Sequence, residues 1–249
     1  MRSPGFHETR AQGCGFGYHD GVKVNELFCT IQGEGKLAGM PSVFVRTSGC
    51  NLRCTWCDTP TTSWAPQGEQ LDVTQIRERV SRYNTHYVVL TGGEPMIAPR
   101  IGELSRCLNE DGYHVTIETA ATVWKDVVCD LASISPKLRN STPVTRDGGR
   151  WADVHEKTRI NLDVIRRFMQ MPDYQLKFVV DVPDDMTEID MLLDQLGPYE
   201  DSNVLLMPQG VTDEELRRRS GWIAEICRTR GFRFCPRLHI SLYGHVRGT

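Results

Sequence analysis

From residue 42 onward, short apolar runs alternate with stretches of helical periodicity. Ser42–Thr47 (SVFVRT) reads as a strand, and Val73–Tyr83 as a helix with Asp72 at its N-cap. Tyr87–Thr91 (YVVLT) is a strand, Pro99–Asp111 a helix ended by Gly112, and His114–Glu118 (HVTIE) a strand. A short helix is expected within Thr122–Cys129, then a strand at Leu131–Ser135. Pro136–Arg159 has few apolar residues and an adjacent Gly148-Gly149 pair, so it reads as a loop. Leu162–Met171, Met186–Leu196 and Asp213–Thr229 read as helices; Leu176–Val180, Val204–Met207 and Phe232–Cys235 read as strands. Strand and helix thus alternate about six times, which predicts an α/β fold with a parallel sheet and outer crossover helices. Both an open doubly wound sheet and a partial barrel satisfy that pattern. Residues 1–20 lack periodicity and read as an N-terminal extension to a domain spanning 21–249.

In either architecture, sites assemble from the loops after the C-terminal ends of strands. Polar and Gly/Pro motifs collect at those positions. A cysteine-rich loop follows the first of these strands and Gly92-Gly93-Glu94-Pro95 the second. Glu118-Thr119 ends the third and Ser135-Pro136-Lys137 the fourth. Met207-Pro208-Gln209-Gly210 ends the sixth.

Composition narrows the class. Over 249 residues the chain is 39% hydrophobic and 24% charged, with a net charge of −3, ordinary for one globular domain. The mild acidity gives no support for a nucleic-acid partner, and the Arg217-Arg218-Arg219 run reads as a solvated helix face. No apolar stretch approaches the ~20 residues needed to cross a bilayer, and Met1–Asp20 lacks a signal-peptide core, so a cytoplasmic protein is expected. Nine cysteines in that setting read as reduced thiols. Cys107 and Cys129 fall in apolar stretches and read as small core hydrophobes.

Cys50, Cys54 and Cys57 are different. Their Cys-x3-Cys-x2-Cys spacing puts three thiolates on one short loop. A fourth ligand from a distant His or Cys would close a zinc site. Without it, three thiolates leave one iron of a [4Fe-4S] cluster open to a substrate or cofactor. Trp56, an aromatic able to flank a ligand at that iron, favours the cluster. Gly92-Gly93 is a turn on the bland reading; on the functional one it lets backbone approach a bound amine.

Taken in order, the chain carries Thr30-Ile31-Gln32-Gly33-Glu34-Gly35, then Phe44-Val45-Arg46-Thr47-Ser48-Gly49-Cys50, then Cys57-Asp58-Thr59. Leu90-Thr91-Gly92-Gly93-Glu94-Pro95, Ser135-Pro136-Lys137 and Arg237-Leu238-His239 follow. This set resembles the radical S-adenosylmethionine superfamily and, within it, the 7-carboxy-7-deazaguanine synthases of queuosine and 7-deazapurine biosynthesis. The likeness spans residues 22–245. It implies a partial (β/α)6 barrel, a [4Fe-4S] cluster on Cys50, Cys54 and Cys57, and S-adenosylmethionine on the open iron. It further implies a lyase that turns 6-carboxy-5,6,7,8-tetrahydropterin into 7-carboxy-7-deazaguanine with loss of ammonia. Magnesium would bind Thr59.

By the same resemblance, Ile31, Gln32, Gly33, Glu34, Arg46, Thr91 and His239 would meet the pterin, with Arg46 on its carboxylate. Trp56, Cys57, Asp58, Gly93, Glu118, Ser135, Pro136, Lys137, Met207, Pro208, Gln209 and Gly210 would meet the cofactor. A flavodoxin or ferredoxin would supply the electron. Ala120-Ala121 stands where the family often has Asn-Gly, so that turn is expected to differ. The C-terminal segment is a further candidate for substrate contact. Uncovered sheet edges point to a homodimer. A glycyl-radical-enzyme activase and a non-enzymatic zinc module remain as alternatives; Gln32-Gly33-Glu34-Gly35 and His239 weigh against the first.

Overall fold

A computed structural model describes residues 21–249; the extension expected over residues 1–20 lies outside the described residues. The chain enters through an antiparallel ribbon of β1 (Val22–Ile31) and β2 (Pro41–Thr47), with α1 (Pro60–Ser63) and the short β3 (Glu69–Leu71) following. The repeat then runs α2 (Val73–Val80), β4 (Tyr87–Gly92), α3 (Ile101–Glu110), β5 (His114–Thr119) and β6 (Leu131–Ile134). It continues with α4 (Ala152–Thr158), α5 (Leu162–Phe168), β7 (Tyr174–Val180), α6 (Asp185–Leu196) and β8 (Val204–Pro208). It ends with α7 (Asp213–Arg230), β9 (Arg233–Phe234) and α8 (Leu238–Tyr243).

These residues build one nine-stranded sheet in the order β3-β1-β2-β4-β5-β6-β7-β8-β9. From β2 onward the strands are parallel and follow chain order. A doubly wound sheet reverses direction at a switch point. This one does not, so the sheet curls as a partial barrel. One face of each strand meets the helices, where Val88, Leu90, Ile117, Ile134, Leu176 and Phe178 join Leu104, Leu108, Ile165, Phe168 and Leu193 in the main core. Alternate residues therefore point into the barrel.

Three expectations need correction. No helix forms within Thr122–Cys129. The β-branched residues Val123, Val127 and Val128 disfavour one, and side chains hold the backbone extended. Ser105 Oγ accepts from Val128 N at 3.1 Å, and Lys125 Nζ reaches Ala98 O at 2.7 Å. Second, Pro136–Arg159 is not a plain loop. It contains α4 and two 3-10 turns, Arg139–Ser141 and Arg146–Gly149. The buried side chain of α4 is His155, so the helix carries no apolar period to read. Third, β1 forms ahead of the first expected strand, with Val22 and Val24 buried, and its register puts Leu27 against Val45 and Phe28 against Phe44.

Candidate active site

The parallel strands aim their C-terminal ends at one cavity of about 400 Å³. The cysteine loop forms one wall. Gly93 lies so close to it that a Cβ there would sit 2.8 Å from Cys50 Cβ and overlap the Gly49 carbonyl. Glycine is thus required for the β4 loop to pack on the cysteine loop, with Gly93 N donating to Thr47 O at 3.2 Å and Glu94 N to Gly49 O at 2.9 Å. Glu94 is fully buried. Its carboxyl accepts from Met96 N, Thr119 Oγ1 and Ala120 N at 3.0, 2.7 and 2.8 Å, which ties β4 to the end of β5. Burial pushes its pKa up. The turn after β5 runs through Ala121 in the left-handed region, at φ 55°. Alanine there holds a conformation that glycine adopts without strain.

The 136–159 segment braces the same loop from outside. Arg53 N–H donates to His155 Nδ1 at 3.2 Å, so the neutral ring carries its proton on Nε2. That N–H meets Ser141 Oγ at 2.9 Å, and Ser141 Oγ donates on to Leu138 O at 2.6 Å. Burial lowers the His155 pKa to about 4, so the ring is neutral at pH 7. Thr55 N donates to Ser141 O at 2.7 Å, Trp56 Nε1 to Asn140 O at 3.0 Å, and Arg146 Nη1 to Thr55 O at 2.7 Å.

Inward-facing polar side chains form the cavity floor. Arg46 and Thr91 are register partners on β2 and β4. Glu118 accepts from Gln32 Nε2 at 3.2 Å and Thr91 Oγ1 at 2.9 Å. Lys177, 4% exposed on the inner face of β7, pairs with Glu34 and stands 4.0 Å from Glu118. Arg237 donates to Glu34 Oε1 at 3.1 Å, Asp58 Oδ2 at 2.6 Å and Gly210 O at 2.5 Å. Burial opposes ionisation of Glu34, but Lys177 and Arg237 hold its carboxyl well below the usual range. Burial likewise opposes charge on Lys177, and Glu34 and Glu118 more than offset it, raising its pKa. The cavity floor therefore keeps its charges at neutral pH.

A family model for the radical SAM superfamily matches residues 44–138. A 7-carboxy-7-deazaguanine synthase of Rhodopirellula baltica is 42% identical over 99% of this chain and 96% of its own length. The chain belongs to the 7-carboxy-7-deazaguanine synthase family. Another synthase of that name, from Halobacterium salinarum, is 44% identical over 92% of this chain and 93% of its own. A crystal structure of QueE from Escherichia coli superposes with a TM-score of 0.64 at 25% identity, covering 86% of this chain and 92% of that one. Like the rest of the family, the chain is a radical S-adenosylmethionine enzyme with a [4Fe-4S] cluster.

The residues present fit that cluster. Cys50, Cys54 and Cys57 pack with Leu52, Ala120 and Trp56 at the cavity wall. Burial pushes the Cys50 and Cys54 thiols to about 12 and raises Cys57, and the three also repel one another's charge. A cationic cluster offsets both effects. Among the described residues no three His, Cys, Asp or Glu side chains are gathered to hold a single ion.

Of the expected site residues, Ile31, Gln32, Gly33, Glu34, Arg46, Trp56, Asp58, Thr59, Thr91, Gly93, Glu118, Ser135, Lys137, Met207 and His239 line the cavity with the cysteines. Pro136, Pro208, Gln209 and Gly210 do not; Gly210 acts one step away by holding Arg237. His239 lies in the first turn of α8 and packs on Gly33, where a Cβ would sit 2.7 Å from the ring Cγ. The sequence alone assigns no role to Lys177 or Arg237. A lysine within the apolar run of β7 was the available sign of the first. Residues 244–249 also line the cavity, with His245 Nε2 3.1 Å from Asp58 O and Arg247 paired to Glu26.

Proposed function

We propose that this chain converts 6-carboxy-5,6,7,8-tetrahydropterin to 7-carboxy-7-deazaguanine with release of ammonia. The observation that carries this reading is the cavity itself. Three thiols line it together with a polar layer of Arg46, Thr91, Gln32, Glu118 and Glu34. A volume of about 400 Å³ suits a small bicyclic substrate beside a nucleoside cofactor's reactive end.

Bound on Cys50, Cys54 and Cys57, the cluster with S-adenosylmethionine would supply radical chemistry at substrate C6. The protein's own residues position and shield. The Arg46 guanidinium binds the pterin carboxylate through both oxygens; Glu26 Oε2 holds it in place at 3.0 Å. Glu118 and Gln32, hydrogen-bonded to each other, meet donor and acceptor positions on the ring edge. Glu34 is kept anionic by Lys177 and Arg237 and accepts from ring N–H groups. His239 closes the cavity over Gly33. On the cofactor side, Gly93 offers backbone to the methionine amine. Ser135, with Lys137 Nζ held at 2.8 Å on its hydroxyl, borders the same wall.

Thr59 lines the cavity with its hydroxyl 3.2 Å from Asp58 Oδ1. Its hydroxyl, a hard oxygen donor, would hold Mg²⁺. A flavodoxin or ferredoxin delivers the electron, and the enzyme works as a cytoplasmic homodimer. Anaerobic enzyme with reconstituted cluster tests the assignment. Arg46→Ala should raise the KM for the carboxypterin about 100-fold while S-adenosylmethionine binding stays unchanged. An unchanged KM would remove Arg46 from the substrate site.

A further inference from the structure

Outside the cavity, the cysteine loop is covered by one surface that the reaction does not use. It is built from the Arg146–Gly149 turn, the start of α4 and Arg53, none of which lines the cavity. Tryptophan and arginine dominate it. Arg53 lies over the Trp151 ring with its guanidinium carbon 4.8 Å from the centroid, and Arg150 approaches the same ring at 4.9 Å. Arg146 covers Trp64 at 4.0 Å. Val144 and Val154 stand 68% and 53% exposed beside them. Exposed aliphatic groups ringed by arginine and tryptophan are the make-up of a protein-docking patch.

Charge and connection define the partner. Arg53, Arg146, Arg150 and Lys157 outnumber the acidic Asp147, Asp153 and Glu156 here, and Glu156 is taken up by Arg159 at 2.8 Å, on a chain whose net charge is −3. Asp147 is itself engaged, with Arg150 at 3.3 Å and Trp151 Nε1 at 3.2 Å. The patch is therefore basic on an acidic protein and fits an acidic partner. It also touches the cysteine loop directly. Arg53 Nη1 donates to Cys50 O at 2.7 Å and Leu52 O at 2.8 Å, so Trp151 stands one guanidinium away from the cluster-bearing backbone.

We propose that the Trp151–Arg150–Val144 face is the docking surface for the electron donor, an acidic protein carrying a reduced flavin. The flavin hydroquinone loses one electron to become the semiquinone, the cluster gains that electron, and no bond to the enzyme forms or breaks. Docking here leaves the cavity free for cofactor and substrate. The inference rests on the radical enzyme reading of the preceding section.

The test uses cluster-loaded enzyme with S-adenosylmethionine, flavodoxin as donor and dithionite as the small-molecule control, reading 5′-deoxyadenosine release. Arg150→Glu/Lys157→Glu and, separately, Val144→Asp should raise the KM for flavodoxin about tenfold or more. Both should weaken binding of oxidised flavodoxin, followed by flavin fluorescence. The charge variant should also lose most of the wild-type sensitivity to salt. Dithionite-driven release should stay within twofold of wild type, since these side chains contact no part of the cavity. Unchanged flavodoxin KM and binding would overturn the proposal. Conversion of a dimer to a monomer by either variant would overturn it as well, assigning this face to a second copy of the chain. A loss of dithionite-driven release in the wild type would instead fall on the radical-enzyme reading.

Discussion

Lys177 gives the sharpest test of the buried charge layer. It is 4% exposed, pairs with Glu34 and stands 4.0 Å from Glu118. Lys177→Met keeps the volume and removes the cation, leaving two carboxylates at the cavity floor. Breaking a buried ion pair from one side costs about 3–5 kcal/mol. Arg237 still holds Glu34 Oε1 at 3.1 Å, and Glu118 keeps its bonds from Gln32 and Thr91, so the lower end, about 3 kcal/mol, is expected. Urea unfolding of the apoprotein at pH 7 measures it. The pH dependence has a definite sign. Lys177 depresses the folded pKa of Glu34, a contribution present above the unfolded carboxylate pKa and lost as pH falls. The variant's deficit should therefore hold from pH 7 down to about 4 and shrink only as pH falls further. Adding Glu34→Gln should return at least about 1 kcal/mol as a coupling energy. A deficit under about 1 kcal/mol, or strict additivity of the two changes, would refute the argument that these groups neutralise each other.

Three further outcomes follow from individual contacts. Gly33→Ala places a Cβ against the His239 ring and should raise the pterin KM at least about tenfold, while 5′-deoxyadenosine release without substrate stays near wild type. His155→Leu strips the acceptor from Arg53 N–H and should cost about 1–3 kcal/mol and speed cluster loss in air about tenfold. His155→Asn, which keeps an acceptor near the Nδ1 position, should restore most of this; equal loss in both would remove His155 from the brace. Because the folded ring titrates near 4 rather than 6.5, wild-type stability should fall as pH drops through that window. Ala121→Gly relieves a left-handed alanine at φ 55° and should raise stability by up to about 1 kcal/mol, read as a shift in urea midpoint at constant slope.

Much of this was legible in the chain because the parallel strands are buried on both faces. Their apolar runs stand out, and their polar residues at matching heights mark the cavity. Arg46, Thr91 and Glu118 are polar positions on strands that otherwise read as core. Lys177 obeys the same rule within YQLKFVV but carried no motif, so it went unassigned. The brace was hidden for a different reason. Residues 138–155 hold the cysteine loop with a buried histidine, serine and backbone carbonyls, and hydrogen-bonded polar packing leaves no hydrophobic period. In sequence the Gly92-Gly93 pair fits either a turn or a backbone approach to ligand. The structure adds a second demand, since Gly93 must first clear Gly49 and Cys50. The extended 122–129 segment shows tertiary hydrogen bonds deciding a stretch whose pattern fitted a helix.

The central claim is that the thiol wall and the polar floor act together on a carboxylated tetrahydropterin. Anaerobic enzyme carrying its cluster, given S-adenosylmethionine, Mg²⁺, reductant and 6-carboxy-5,6,7,8-tetrahydropterin, tests it directly by mass spectrometry of the product. The account predicts 7-carboxy-7-deazaguanine with one equivalent of ammonia per turnover. Release of 5′-deoxyadenosine with no deazaguanine would contradict it.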